Sequence, residues 1–303
     1  MAEDPRWPRA SAWIESCTEE HTRPRDRSPR PVEMALLGVP AHATSLSPTR
    51  ADTTPAAVRA ALARYSTYVA SAGVDLADLM LVDLGDQRDP DTPAGERDTI
   101  DAVRLFPRAL VLALGGDNSI TFSVAHGACA DGLITLDAHH DLRDGRSNGS
   151  PVRRLVESGI DGRRVVQIGI NDFANSPQYA ARARELGITV ITRGELERRP
   201  IADAMAEALD IAGTGPTGRV HVDLDVDVCD RSVAPACPAS LPGGISAREL
   251  LTAARAAGTD PRVVSADITE VDASADTADG RTVRLAALCV LEIAAGVLLR
   301  TRT

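Results

Sequence analysis

The stretch ALVLALGGDNSI (109–120) is a short apolar run that ends in paired glycines and a polar cluster, followed by a segment of helical character. An apolar run without polar alternation, bounded by glycine, reads as a strand buried on both faces, the habit of parallel sheets. Seven further runs share this form: MALLGV (34–39), LMLVDL (79–84), LITLDA (133–138), VVQIGI (165–170), ITVIT (188–192), RVHVDLDV (219–226) and VVSADI (263–268). Between most of them lie Ala/Arg/Glu/Leu segments of helical spacing. PAAVRAALARY (55–65) is one, with Pro55 at its start and Thr53 or Thr54 as its cap. Eight strands alternating with helices predict a mainly parallel sheet covered by helices.

Composition agrees. Of 303 residues, 44% are hydrophobic and only 3% aromatic, so the core is built from Ala, Val, Leu and Ile. Length permits one large α/β domain or two small ones, but no Gly/Ser linker divides the chain. We expect an irregular arm over 1–32 and one domain over 33–303. The formal charge of -10 argues against nucleic acid as a partner, because phosphate binding needs a basic surface. The chain has no lysine, which excludes Schiff-base chemistry and a phosphate-loop lysine. Five scattered cysteines without a CxxC predict a reduced, cytoplasmic protein. The N-terminus has no signal-like apolar core. The apolar stretch 285–299 contains Glu292 and is short for a bilayer, so a buried C-terminal helix is expected and no membrane partner.

Ligands of open parallel sheets bind beyond the carboxyl ends of the strands. Four polar motifs fall there: GGDNSI, DAHHD (137–141), DLDVD (223–227) and TEVD (269–272). In DAHHD, an extended backbone points Asp137, His139 and Asp141 the same way. In DLDVD the alternation puts Asp223, Asp225 and Asp227 on one strand face. Three carboxylates sharing a face are costly to bury without a cation. Several carboxylates with one imidazole suit Mn²⁺ better than a structural Zn²⁺ site. Two ions sharing carboxylates would form a hydrolytic centre.

These four motifs, in this order, resemble those of the arginase–agmatinase–formimidoylglutamase (ureohydrolase) family, over roughly 33–300. GGDNS is similar to the family's GGDHS, DAHHD to DAHxD, DVDVCDRSVAP (225–235) to DxDxxDPxxAP, and ITEVD to the segment with its catalytic glutamate. The resemblance implies a three-layer α/β sandwich with about eight strands. It implies two Mn²⁺ sites held by Asn118, Asp137, His139, Asp141, Asp225 and Asp227. Asp137 and Asp225 would bridge, Asp141 and residue 118 would complete the first site, and His139 and Asp227 the second. Asn118 stands where the family has histidine, so the first site is expected to be weak or empty. Asp223 stands where the family often has serine.

Glu270 would hold a cationic amidine or guanidine group of the substrate, and Asp141 would serve proton transfer to the leaving nitrogen. Downstream, LRDGRSNGSPVRRL (142–155) resembles the formimidoylglutamase pattern. Arg143, Arg153 and Arg154 on that loop are candidates for the substrate carboxylates, and Asn148 in the same turn for substrate binding. The implied reaction is hydrolysis of N-formimidoyl-L-glutamate to L-glutamate and formamide by a homo-oligomer, a trimer or hexamer. The rivals are an agmatinase or guanidino-acid hydrolase that releases urea, and a catalytically silent homologue.

Overall fold

A computed structural model describes residues 4, 6–22 and 30–300. The strands, in chain order, are β1 (Met34–Val39), β2 (Tyr68–Val69), β3 (Val74–Asp75), β4 (Leu81–Asp86), β5 (Leu110–Gly115), β6 (Gly132–Leu136), β7 (Val165–Ile170), β8 (Thr189–Thr192), β9 (Val220–Asp225) and β10 (Val263–Thr269). The helices are α1 (Ala10–Thr22), α2 (Thr54–Leu62), α3 (Pro93–Arg104), α4 (Ile120–Gly127), α5 (Pro151–Glu157), α6 (Pro177–Glu185), α7 (Ile201–Ala212), α8 (Ala247–Thr259) and α9 (Arg281–Arg300).

Eight strands form one sheet in the order β4-β1-β5-β10-β9-β6-β7-β8, and every pairing in it is parallel. Each of the eight apolar runs is one of these strands, displaced by a few residues at most. The run β1 shows why no polar alternation is needed. Met34 and Leu36 join a core cluster with α2, α7, α8 and α9, while Ala35, Leu37 and Val39 join another with residues of α3 and α4. Both faces are covered, so the fold is the expected three-layer α/β sandwich. The strand order turns back on itself at the centre of the sheet, where β10 and β9 lie between β5 and β6. The polar motifs follow these four neighbouring strands.

Helix α9 is long and apolar enough to cross a membrane, yet most of it is buried in the protein's own core. Its Glu292 is neutralised by Arg255 of α8, at 2.6 Å.

Two expectations need correction. The segment 1–32 is not wholly irregular: Ala10–Thr22 is helical, and Ala10, Trp13 and Ile14 are buried. The Trp13 indole reaches the Leu79 carbonyl at 3.4 Å. The rest of the arm lies partly outside the described residues. Thr53 is the N-cap residue of α2, as expected, but its side chain makes no capping hydrogen bond. The Thr54 hydroxyl donates instead to the Val271 carbonyl at 2.5 Å, tying the start of α2 to the loop that follows β10.

Candidate metal centre

The loop after β5 is forced into place by close approach. A Cβ on Gly116 would stand 1.8 Å from the Ala41 carbonyl oxygen, so only glycine lets the two backbones pass. Asp117 then serves the loop itself, accepting from Ser45 Oγ at 2.6 Å and from Ser119 N at 3.0 Å. Glu270 N donates to the Gly116 carbonyl at 2.9 Å, which joins this loop to the end of β10. Glu270 and Asp141 are non-glycine residues with left-handed φ, 62° and 51°. Such local strain is found where surrounding structure holds a functional group in place.

The DAHHD segment is therefore not one extended strand, because the chain turns at Asp141. DLDVD differs as well: β9 ends at Asp225, and Asp227 lies on a 3-10 turn over Val226–Val228. That turn carries Asp227 to the DAHHD loop. Its Oδ1 accepts from Ala138 N at 3.2 Å, and its Oδ2 is 3.0 Å from His139 Nδ1. Asp137 Oδ1 is 3.4 Å from the same ring nitrogen. One ligand atom from each of Asp137, His139 and Asp227 falls within 4.8 Å of the others. Asp137 Oδ2 is buried without a hydrogen-bond partner, as befits an atom reserved for a cation.

The electrostatics of the cluster point the same way. Burial, and then the neighbouring Asp227, push the Asp137 carboxyl up to about 6. Burial also drives Asp141 and Asp225 well above the usual carboxylate range, with neighbouring carboxylates adding to it. Burial opposes a charge on His139, but Asp227 and Asp137 outweigh it and push the imidazole up to about 12. Burial would raise Asp227 too, yet His139 holds it below its ordinary value. Buried like charges that favour protonation in this way are the charges a divalent ion would balance.

Asn118 departs from the expectation. Its amide nitrogen donates to Asp141 Oδ2 at 2.7 Å. Its Oδ1 accepts from the Thr121 hydroxyl at 2.7 Å and the Thr269 hydroxyl at 3.1 Å. The Thr269 hydroxyl is shared with Asp223 Oδ1, at 3.4 Å. The atom able to bind a metal is thus turned away from Asp141, and Asn118 acts as a hydrogen-bond donor to that carboxylate. One row deeper, Asp223 stands opposite Asp267 on β10, and both are fully buried. Burial, followed by Asp267, raises Asp223 well above the usual carboxylate range.

A cavity of about 320 Å³ opens over the cluster. His139, Asp141, Asp225, Asp227 and Glu270 line it, together with Arg143, Asn148 and Tyr179. Asn148 donates to Glu270 Oε1 at 2.8 Å and accepts from Leu46 N at 3.0 Å. Asn118 N also donates to Glu270 Oε1, at 2.8 Å.

Arg153 and Arg154, expected to face the substrate, do not line this cavity. Arg153 holds the loop that carries Arg143, donating to the Arg143 carbonyl at 2.6 Å and also to the Gly145 carbonyl. Arg154 pairs with Glu96 at 2.9 Å and stacks over Phe122. Arg153 also pairs with Glu157 one turn on in α5, but the 143–145 backbone, Glu96 and Phe122 sit in other elements, where spacing does not reveal them. Conversely, Asn175, Ser176 and Tyr179 line the cavity without having been singled out. Asn175 and Ser176 lie in the polar loop after β7, and Tyr179 in the first turn of α6.

Carboxylates and one histidine at the carboxyl ends of four adjacent parallel strands, under a cavity of small-molecule size, define an α/β enzyme with an acidic centre that could hold a cation. The chain belongs to the arginase family, whose model matches residues 32–296. The formimidoylglutamase of Halalkalibacterium halodurans is 36% identical over 276 residues, spanning 86% of this chain and 86% of the relative. The crystal structure of the Bacillus subtilis formimidoylglutamase superposes with a TM-score of 0.86 at 30% identity, covering 98% of this chain and 94% of the other. The Trypanosoma cruzi formiminoglutamase, solved with Mn²⁺, shares the fold at a TM-score of 0.84 and 23% identity, over 96% and 98% of the two chains.

Proposed function

We propose that the chain hydrolyses the C–N amidine bond of N-formimidoyl-L-glutamate, releasing L-glutamate and formamide. The observation that carries this is the charge make-up of the cavity. Glu270 and carboxylates of the acidic cluster line it, and Arg143 lines it with them. A cationic amidine fits the first, and the carboxylates at the other end of the substrate fit the second. An amine tail such as that of agmatine would meet Arg143 unfavourably.

The donor set fits Mn²⁺. Asp137, His139 and Asp227 would hold one ion, and Asp137, Asp225 and Asp141 a second, without Asn118. Bound Mn²⁺ supplies an acidified water and stabilises negative charge on the reacting centre. The protein's own groups do the rest. Glu270, fixed by Asn118 N and Asn148 Nδ2, orients the amidine. Asp141, held by the Asn118 amide, carries a proton to the leaving nitrogen. The same proposal includes a homo-oligomeric, cytoplasmic enzyme. Its support is the family likeness, and the fact that Cys129, Cys229, Cys237 and Cys289 are free thiols.

The protein reconstituted with Mn²⁺ should release formamide from N-formimidoyl-L-glutamate, and chelation should stop it. Urea from agmatine or guanidino acids, with no formamide, would establish the rival chemistry. No turnover of any of these by fully metallated protein would make the chain a silent homologue. Arg143→Ala should raise KM by about 10–100-fold, the value of one or two charge-assisted hydrogen bonds, with a smaller change in kcat. An unchanged KM would remove Arg143 from substrate binding.

A further inference from the structure

The central peptides of the DAHHD loop are held from outside the loop, and one residue holds two of them. Asn175 Oδ1 accepts from His140 N at 2.9 Å, and Asn175 Nδ2 donates to the Ala138 carbonyl at 2.9 Å. Its two amide atoms thus bracket His139, the histidine of the acidic cluster. Ala138 O also accepts from Asn171 N at 3.1 Å. From the neighbouring strand β7, Gln167 completes the clamp. Its Nε2 donates to the His140 carbonyl at 2.9 Å, and its Oε1 lies 2.7 Å from His140 Nδ1. His140 is consequently buried, not a surface residue.

Asn175 is itself rigidly placed. It precedes Ser176, whose hydroxyl caps α6 by accepting from Tyr179 N at 3.2 Å, with Pro177 in the first turn. A backbone pinned on both sides of His139 leaves that side chain little freedom except at its own rotatable bonds.

We propose that Asn175 is a positioning residue for the metal centre. Its side-chain amide fixes the Ala138 and His140 peptides so that His139 Nδ1 meets Asp137 and Asp227 at ligand distance. Asn175 lines the cavity, but each of its polar atoms is bonded to the loop, and in this role it acts on the reaction through His139. This rests on the metal-dependent activity proposed above.

Metal-free wild type, Asn175→Asp and Asn175→Ala are titrated with Mn²⁺ by calorimetry, alongside Tm of the metal-free forms and kinetics at saturating Mn²⁺. Asn175→Asp keeps the shape and the acceptor for His140 N but sets an oxygen against the Ala138 carbonyl; Asn175→Ala removes both contacts. Mn²⁺ Kd should rise by about 10–100-fold in each variant, the usual cost of losing a residue that orients a metal ligand. The metal-free Tm should stay close to wild type, and KM at saturating Mn²⁺ should be unchanged. Wild-type Kd in both variants overturns the proposal. So does a raised KM with unchanged Kd, which would make Asn175 a substrate contact. A wild-type protein that binds no Mn²⁺ removes the metal-centred function itself, and the positioning role with it.

Discussion

Asp227→Asn should reduce kcat/KM on the order of 1,000-fold, about 4 kcal/mol of lost transition-state stabilisation, and should lower the bound Mn²⁺. The replacement is nearly isosteric, so the turn Val226–Val228 is kept. What changes is charge and donor type. Asp227 offers one oxygen to Ala138 N and the other to His139 Nδ1, at 3.2 Å and 3.0 Å. An amide can satisfy the first contact, but its NH₂ then faces the imidazole, donates to His139 Nδ1 and competes with the ion for that nitrogen. The negative charge that offsets a divalent cation is also gone. Carboxylates are the harder and stronger ligands for Mn²⁺ than neutral amides. The checks are metal content by elemental analysis and formamide release across a Mn²⁺ titration. Wild-type activity together with wild-type metal content would sink the assignment of Asp227 as a ligand. Full activity restored at high Mn²⁺ would reduce its role to affinity alone.

The Asp227 case also shows where sequence patterns carry and where they stop. Eight apolar runs named the eight sheet strands because burial on both faces leaves a strong local trace in composition. The position of the chemistry followed from topology, since side chains at the carboxyl ends of adjacent parallel strands must meet. The period-two pattern of DLDVD, however, continued past the point where the strand stops. Asp227 reaches His139 by a 3-10 turn, and nothing in the spacing marks that change. Orientation was still less legible. Asn118 was identifiable as an unusual residue at a ligand position, but its contacts with Asp141, Thr121 and Thr269 were not. Thr269 lies more than a hundred residues away in the chain. Arg153 and Arg154 lie away from the cavity for the same reason, because Glu96 and the backbone of 143–145 hold them. Asn175 left no pattern at all, as its role consists of two hydrogen bonds to a distant backbone.

The metal-free protein should lose thermal stability as pH rises from 6.5 to 8, and Mn²⁺ should abolish that loss. Glu270 is raised from 4.5 to about 8, first by burial and then by Asp117. His139 is raised from 6.5 to about 12. A group whose folded pKa lies above its unfolded value adds stability below the unfolded pKa and surrenders it as pH climbs through the folded one. For Glu270 the loss runs from about 4.5 to about 8, and for His139 it begins above 6.5. Asp141 and Asp225, raised well above 3.8, act in the same sense. Groups of opposite sign do not mask the trend in this window. Asp260 and Asp272 are lowered from 3.8, so their contribution is already complete well below pH 6.5. His140, lowered from 6.5 by burial, has its contribution nearly complete at the lower edge. Bound Mn²⁺ replaces the protons, since its ligands must be ionised carboxylates and a neutral imidazole, and binding should tighten with pH. Melting curves of chelated protein at pH 6.5, 7.2 and 8, with and without added Mn²⁺, test this directly. A metal-free Tm that is flat or rises across the window would mean that the buried acids are already compensated by the protein itself. The cation would then have no electrostatic vacancy to fill.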